Sequence, residues 1–226
     1  MQLTIELAYL IGSLRDGSVS KFKDKTGKLH HSITFYSKSI DWLKILQQKI
    51  QKIFNKLPEI QKYSGKTPYI RIYSKGIAEI LSKEFKHPLG VQIEWRTPDI
   101  IKQSNAEIQK HFIAGLWDAE GGVDLQNKQT KFYLSWKGNQ CPPLEDVKQI
   151  LNKFEIRTGK VCKYKNSNGK FPRFVLRIST ESTRKFFEEI PINHPEKKRK
   201  LQFILSGVWP QNSLPAEGLG PENGRD

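Results

Sequence analysis

Apolar residues at helical spacing predict a first helix near the start of the chain. They are Leu3, Leu7, Leu10 and Leu14. We expect this helix to end at Asp16 and Gly17, because glycine commonly terminates helices. Alternating apolar and polar positions then predict a hairpin, with strands near 18–23 and 28–36 and a turn at 24–27.

A long amphipathic helix is predicted after the hairpin. Its apolar stripe consists of Leu43, Leu46, Ile50, Ile53, Phe54 and Leu57. A strand over 69–73 and a short helix from Gly76 to Phe85 complete this first unit.

The same order of elements is predicted again in the second half of the chain. It begins with a helix over 105–119 that ends at Gly121, followed by strands near 122–126 and 130–137. The next helix carries Leu144, Val147, Ile150, Leu151 and Phe154. A hairpin turning at 166–169 and a helix near 180–189 complete the second unit. Asp16 and Glu120 stand 104 residues apart, as do Gly65 and Gly169, which supports an internal duplication. The pattern therefore predicts an α+β protein built twice from the order α-β-β-α-β-β-α.

The predicted organisation has four parts. We expect an N-terminal half over 1–90, a linker over 91–104, a C-terminal half over 105–209 and a flexible tail over 210–226. The tail is rich in proline, glycine, asparagine and acidic residues, which favours mobility.

Charge and cysteine content narrow the class of partner. Lys and Arg number 38 against 23 Asp and Glu, and the net charge of +15 indicates a polyanionic partner. No apolar run approaches the roughly 20 residues needed to span a bilayer, so no membrane association is expected. Cys141 and Cys162 form no Cys-x-x-Cys pair. We therefore expect a cytoplasmic protein without a secretion signal or a zinc site.

Two acids at helix ends are the strongest candidates for chemistry. Asp16 and Glu120 each end an apolar helix rich in small residues, so side-by-side packing of the two helices would bring them together. Small residues four apart, Ala8 with Gly12 and Gly115 with Ala119, would permit that contact. On so basic a chain, paired carboxylates indicate a divalent metal held against a phosphate backbone.

The residues around these acids resemble a known motif. Residues 114–121 read Ala-Gly-Leu-Trp-Asp-Ala-Glu-Gly and are similar to the LAGLIDADG motif of homing endonucleases at seven of its eight positions. Residues 7–17 resemble the motif less closely, with Ile11 at a usual glycine position and Arg15 at a usual alanine or glycine position. The resemblance covers about residues 3–205 and is to the monomeric, two-motif type.

This resemblance implies a specific architecture and activity. The motif helices would form the interface of a pseudo-twofold monomer, and two antiparallel saddle-shaped sheets would lie in the DNA major groove. The chain would hydrolyse both strands of a long, specific double-stranded DNA site. An intron-encoded origin is expected, because the flanking splicing segments of an intein are not seen in the sequence.

The resemblance also assigns roles to individual residues. Asp16 and Glu120 would bind Mg²⁺, with Mn²⁺ as a possible replacement and Ca²⁺ as a substitute that does not support cleavage. The backbone carbonyls of Arg15 and Ala119, each just before its acid in the sequence, could supplement these ligands. The resemblance places the Asp118 side chain away from the metal. Basic residues at the end of the second strand of each half would orient water or steady the leaving oxygen; here they are Lys38 and Lys137.

The outward faces of the strands would then contact DNA. In the first half the candidates are Lys21, Lys23, Lys28, His30, Ser32, Thr34, Tyr36, Arg71 and Tyr73. In the second half they are Lys131, Tyr133, Ser135, Lys163, Lys165, Arg173 and Arg177.

Other functions remain open from the sequence. The same scaffold could serve as a maturase that grips its own intron RNA, or as a DNA-binding regulator that has lost cleavage. An unrelated basic α+β RNA-binding protein is a further alternative, and it would need no seam between the two motif helices. Acids at the ends of both motifs favour the enzyme. The basic run 197–200 fits either a solvated helix face or a phosphate contact, and Trp42, Trp95 and Trp117 are expected in the core.

Overall fold

The computed structural model of the chain describes residues 2–90, 95–165 and 171–208. The first half contains, in order, α1 (Ile5–Ser13), β1 (Gly17–Lys23), β2 (Leu29–Tyr36), α2 (Ile40–Phe54), β3 (Ile60–Gln61), β4 (Tyr69–Tyr73) and α3 (Lys75–Lys83). A short helix, α4 (Asp99–Lys102), lies within the predicted linker. The second half contains α5 (Ala106–Glu120), β5 (Gly121–Asp124), β6 (Gln129–Ser135), α6 (Pro142–Lys153), β7 (Cys162–Tyr164), β8 (Arg173–Arg177), α7 (Thr183–Glu189) and α8 (Pro195–Ser206).

The two halves have the same sheet topology. The strand orders are β1-β2-β4-β3 and β5-β6-β8-β7, and every neighbouring pair is antiparallel. One face of each sheet is apolar: Val19, Ile33 and Ile72 align across three strands in the first half and are buried. The duplicated α+β order predicted from the sequence is confirmed.

Local sequence signals explain where α2 begins and ends. The Ser39 side chain accepts a hydrogen bond from the Trp42 backbone N–H and caps the first turn. Asn55 ends the helix in the left-handed conformation, with φ of 50°. The predicted apolar stripe is wrong at Leu57, which lies beyond this end and is 60% exposed.

The tryptophans lie in the core, as predicted. Trp42, Trp95 and Trp117 are fully buried, and Trp95 stacks on Phe112 with 6.0 Å between ring centres. Trp95 thus ties the segment between the halves to α5.

Some sequence predictions fall outside the described structure, and one element was missed. The turn at 166–169 and the tail over 210–226 lie outside the described residues. Helix α8 was not predicted as an element, although residues 197–200 were considered as a helix face, and Pro195 at its first turn and buried Leu201 are ordinary helix signals. Among the described helices, none combines the length and the apolar character that crossing a bilayer requires.

Candidate active site

The two motif helices, α1 and α5, make their closest contact at a glycine on each helix. A Cβ atom on Gly12 would lie 2.3 Å from the Phe112 carbonyl oxygen, and one on Gly115 would lie 2.0 Å from the Tyr9 carbonyl oxygen. Real side chains do not approach backbone this closely, so this crossing requires glycine at both positions. The Ser13 hydroxyl donates a hydrogen bond to the Gly115 carbonyl at 3.4 Å. The predicted seam between α1 and α5 is therefore present, with its register set by Gly12 and Gly115.

Both candidate acids lie at the same end of this helix pair. Asp16 ends the 3₁₀ turn that follows α1, and Glu120 is the last residue of α5. The Arg15 Nε lies 3.6 Å from Glu120 Oε1, so the end of the first motif contacts the end of the second. The Arg15 side chain also donates from Nη2 to the Ser135 carbonyl at 2.8 Å.

The surroundings of the acids disfavour their charged forms. Loss of water contact raises the pKa of Asp16 to about 6, with the positive charges of Lys197 and Arg15 opposing the rise. Burial raises the pKa of Glu120 to about 7; Arg15 lowers it, and the negative charge of Asp16 raises it further. Asp16 is open to solvent but lies in a concave part of the surface, where surrounding protein replaces part of its hydration.

These residues fit a hard divalent cation. No group of three His, Cys, Asp or Glu side chains within 2–90, 95–165 and 171–208 is arranged to hold a metal. Mg²⁺ commonly uses one or two protein carboxylates and completes its shell with water and phosphate oxygens. Asp16 and Glu120 supply such a pair. The Ala119 carbonyl already accepts a hydrogen bond from Lys197 Nζ at 3.1 Å, so one of its lone pairs remains for a metal.

The predicted basic residues differ in their placement. Lys38 lines a cleft of about 350 Å³ together with Asp16, Tyr36, Ser37 and other residues. Lys137 is exposed two residues beyond Ser135, whose carbonyl binds Arg15. Lys38 therefore lies in the same cleft as Asp16. Lys137 is connected to Glu120 only indirectly, since Arg15 contacts both Glu120 and the Ser135 carbonyl at the end of β6.

Asp118 lies inside the protein. It is 1% exposed, and its Oδ2 accepts hydrogen bonds from the Tyr9 hydroxyl at 2.5 Å and the Asn193 N–H at 2.8 Å. The Trp42 indole N–H in turn donates to the Tyr9 hydroxyl at 2.9 Å. Asp118 therefore ties the first half to the second, a different role from that of Glu120 two residues later.

The outer face of the first sheet continues into the cleft with Asp16. Tyr36 lines that cleft and also a second depression with Tyr63, Lys66, Tyr69 and Arg71. The outer face also carries His30 and Tyr73, and Lys28 lies in the turn just before β2.

Four residues of the first sheet require correction. Strand register aligns Lys21 with His31 and Lys23 with Leu29, so both lysines lie on the face opposite His30. Ser32 and Thr34 are on the outer face, as predicted, but they are only 3% and 1% exposed. The Thr34 hydroxyl instead accepts a hydrogen bond from Arg71 Nε at 3.0 Å.

The second sheet repeats this arrangement with different side chains. Its outer face carries Lys131, Tyr133, Ser135, Arg173 and Arg177. The arginines are held by aromatic neighbours: Arg173 lies 5.6 Å from the Tyr133 ring, and Arg177 Nη2 donates to the Tyr164 hydroxyl at 2.8 Å.

One predicted contact of the second sheet also requires correction. Lys163 is aligned with buried Phe174 and lies on the opposite face, with Tyr164 in the predicted place. Lys165 lies beyond the end of β7.

Lys197 is a site residue that the sequence did not distinguish from its neighbours. Its Nζ donates to the carbonyls of Asp118 at 2.7 Å and Ala119 at 3.1 Å, and it lines the cleft with Asp16. Burial lowers the pKa of Lys197 to about 8, while Asp118, Glu120 and Asp16 oppose that change.

Comparison with known proteins identifies the scaffold. The family model described as a LAGLIDADG-like domain matches residues 107–191. Homing endonuclease I-ApeI from Aeropyrum pernix is 30% identical over 219 residues, which cover 95% of this chain and 93% of that protein. The subunit Rpo1C of the DNA-directed RNA polymerase of Methanocaldococcus jannaschii is 26% identical over 92% of this chain, but only 22% of that protein is covered.

Solved structures show the same fold. The crystal structure of I-DmoI in complex with DNA and Mn superposes with a TM-score of 0.63 and 25% identity, covering 85% of this chain and 99% of that one. I-WcaI bound to its DNA recognition sequence superposes with a TM-score of 0.56 at 20% identity, covering 89% and 88% of the two chains. With two motif helices crossing at paired glycines and a full-length relative of this kind, the chain belongs to the LAGLIDADG homing endonuclease family.

Proposed function

We propose that this chain is a sequence-specific, Mg²⁺-dependent endonuclease that cuts both strands of a long DNA site as a monomer. The single observation that carries the proposal is the meeting of α1 and α5 at Gly12 and Gly115, which brings Asp16 and Glu120 to one end of the seam. A homing endonuclease relative that matches nearly the whole chain supports it.

The acid pair explains the need for a cation. Burial raises the pKa of each carboxylate, and Asp16 raises that of Glu120 further, while Arg15 and Lys197 offset these rises only in part. A bound divalent cation supplies charge neutralisation and activation of water for phosphodiester hydrolysis. Asp16 and Glu120 would hold the cation, and Ala119 would offer a backbone carbonyl.

Protein groups beside the acids position the DNA strand. Lys38 lines the cleft with Asp16, where its ammonium can contact a phosphate or steady the leaving oxygen. Arg173 on the second sheet is near enough for its charge to lower the pKa of Glu120. Each acid therefore has a cation of its own half nearby: Lys38, which follows β2, for Asp16 and Arg173 of β8 for Glu120.

The outer faces of the two sheets provide sequence recognition. Arg71 is held by Thr34 and lies 4.9 Å from the Tyr69 ring, and Arg177 is held by Tyr164 in the other half. An arginine with little freedom is well suited to bidentate contact with guanine, worth about 1–3 kcal/mol of discrimination for each base. Exposed Lys21, Lys23 and Lys163 lie off these faces and are better placed for phosphates.

A binding-then-cleavage selection tests the function and identifies the DNA target in the same experiment. Randomised duplex DNA is captured by the protein in Ca²⁺, and the bound pool is then exposed to Mg²⁺ or to EDTA. We expect recovery of one long consensus site that is cut on both strands only with the divalent ion. Binding of a consensus site with no cleavage in Mg²⁺ or Mn²⁺ would instead establish a binding protein on the same scaffold. Preference for structured RNA over every selected duplex would favour the maturase.

A further inference from the structure

The outer face of the first sheet is rich in aromatic side chains. Strand register places Phe22 beside His30 and Tyr36 beside Tyr69 on this face, with Tyr73 between the two pairs. Phe22 and Tyr73 are 40% and 57% exposed, although both side chains are large and mostly apolar. Exposed aromatic side chains grouped on one face of a sheet indicate a surface that contacts a partner.

The distal aromatic group (Phe22, His30 and Tyr73) lies away from the acids. Phe22 stacks on His30 with 5.6 Å between ring centres, and His30 meets Tyr73 edge-on at 6.5 Å. Phe22 is the sixth residue of β1, which begins directly after Asp16. This group therefore lies roughly 17 Å along the strand from the start of β1.

The proximal aromatic group (Tyr36, Tyr63 and Tyr69) continues the cleft that contains Asp16. Tyr36 lines this cleft, and the centre of its ring is 5.7 Å from that of Tyr69. Tyr63 stacks on Tyr69 at 6.1 Å, and both of these hydroxyls donate to Gln61 Oε1. Because the two hydroxyls are already engaged, these rings offer mainly their apolar surfaces to a ligand.

The outer face of the second sheet has a different chemistry. Among the lysines and arginines of the described strands, it carries Lys131, Arg173 and Arg177, whereas the outer face of the first sheet carries Arg71 alone. Arg177 Nε donates to Gln129 Oε1 at 3.2 Å, which helps to fix the direction of the guanidinium. One face thus offers apolar ring surface, and the other offers positively charged donors.

Base pairs differ in the major groove in a way that matches this division. Thymine presents a 5-methyl group that apolar side chains contact, whereas guanine presents the O6 and N7 acceptors that arginine and lysine bind. On β4, Arg71 stands between Tyr69 and Tyr73. The first face is therefore arranged for thymine on either side of a guanine.

We propose that the two sheets read different bases: the aromatic groups of the first sheet select thymine through its methyl group, and the cations of the second sheet select guanine. This inference rests on the proposed recognition of duplex DNA, and it adds the chemistry of each half-site. The target is then asymmetric, rich in thymine in one half and in guanine in the other. That difference gives a pseudo-twofold protein a single orientation on its DNA.

Modified bases in the selected DNA site test the assignment. Uracil in place of thymine removes the methyl group, and 7-deazaguanine in place of guanine removes the N7 acceptor. Each is placed in one half-site at a time, and affinity is measured in Ca²⁺. We expect uracil in the half-site of the first sheet to weaken binding by roughly fourfold for each methyl group that a ring covers. We expect 7-deazaguanine in the other half-site to weaken binding by at least about fivefold.

Protein variants identify the side chains responsible. Arg71→Met and Arg177→Met assign the half-sites, since each should relax base preference in the half that its own sheet contacts. In Phe22→Ala and Tyr73→Ala, uracil should weaken binding less than in the wild-type protein. Tyr73→Phe keeps the ring and should retain the full sensitivity to uracil. Leu57→Ala, which removes an exposed apolar side chain outside the sheet, is the matched control and should also retain it.

Three outcomes would overturn the proposal. The first is unchanged affinity of the wild-type protein for uracil-substituted DNA, a result that depends on no variant being folded. The second is full sensitivity to uracil in both alanine variants. The third is an equal loss of sensitivity in Tyr73→Phe and Tyr73→Ala, which would assign the contact to the hydroxyl group. Failure to cut the selected site in Mg²⁺ would contradict the nuclease function alone, because base readout is measured by binding.

Discussion

Arg15 of the first motif and Glu120 of the second form an ion pair across the helix seam, with 3.6 Å between Nε and Oε1. The family usually has alanine or glycine where this chain has Arg15. The arginine is only 8% exposed and also binds the Ser135 carbonyl, so it joins the first motif, the second motif and β6. A protein cation therefore partly compensates one acid, while Asp16 lies in the open cleft.

Removing Arg15 should destabilise the metal-free protein. Arg15→Met leaves a partly buried carboxylate without its ion-pair partner, and we expect a loss of roughly 1–3 kcal/mol in the free energy of unfolding. Urea unfolding in EDTA measures the loss. Because the acids are then less compensated, Ca²⁺ should stabilise Arg15→Met more than the wild-type protein. Equal stabilisation of both would show that Arg15 does not share the acid site.

The acid pair should be required for cleavage and dispensable for binding. Asp16→Asn or Glu120→Gln removes a metal ligand but preserves shape, so we expect cleavage to fall by roughly a hundredfold or more, as when one electrostatic contact to a transition state is lost. Affinity for the selected DNA should stay within a few-fold. Asp41→Asn, which changes an exposed acid paired with Lys44, is the matched control and should cleave normally. Cleavage by the double variant Asp16→Asn/Glu120→Gln would exclude both residues as ligands.

Stability of the metal-free protein should depend on pH through the same acids. Their pKa values of about 6 for Asp16 and about 7 for Glu120 lie above the roughly 3.9 and 4.3 of unfolded chains. The protonated forms therefore favour folding at low pH, and that contribution is lost as pH rises through 6 and 7. In EDTA, the melting temperature should fall between pH 4 and pH 8 by more in the wild-type protein than in Asp16→Asn/Glu120→Gln. Parallel curves for the two proteins would show that these acids are not perturbed.

Replacing a glycine at the helix crossing and replacing a glycine with free space around it should change stability in opposite directions. Gly115→Ala forces a Cβ to within 2.0 Å of the Tyr9 carbonyl, so the helices must separate, at a cost of about 1–3 kcal/mol or more. Gly76→Ala in α3 meets no atom within 4 Å and should stabilise the protein by roughly 0.5–1 kcal/mol through helix propensity. Chemical denaturation distinguishes the two signs. A neutral Gly115→Ala would show that α1 and α5 do not cross here.

Strand register predicts which side chains of the first sheet contact bases and which contact phosphates. Arg71→Met should relax preference at one base position by about 1–3 kcal/mol, since Arg71 lies on the outer face and is held in place by Thr34. Lys21→Met, on the opposite face, should leave base preference unchanged and reduce the slope of log affinity against log salt by about 1. Binding assays on single-base variants of the selected site, at several salt concentrations, report both quantities. Loss of base preference in Lys21→Met would contradict this division.

The elements of the fold followed from local patterns. Helices α1, α2 and α5 and the strands β1, β2, β5 and β6 lie within a few residues of their predicted positions. Periodicity and terminators such as Gly121 act on neighbouring residues, so they can be read one segment at a time. Helix α8 was missed although Leu201, Ile204 and Leu205 form an apolar face; of these three, Leu201 alone is fully buried.

The face of the sheet on which an individual side chain lies was harder to predict from the sequence. Lys21 and Lys163 were expected on the outer faces of their sheets, but both lie on the opposite faces. Strand pairing, and not residue type, decides which face a side chain takes. Thr34 has the right face but is covered by neighbours that pair with it only in the folded sheet.

By itself, the sequence determined the duplicated order of elements, the excess of positive charge and the two acids at the ends of the motif helices. These depend on interactions within a few residues or on composition alone. Only the tertiary structure decided that Gly12 and Gly115 are the point of closest approach, that Arg15 turns inward to Glu120, and that Lys197 caps α5. Each of these contacts joins residues about eighty or more positions apart, so it depends on how the apolar faces of whole helices fill space against each other. The spacing of small residues along the chain indicated that the two helices can meet, but it did not fix which residues meet.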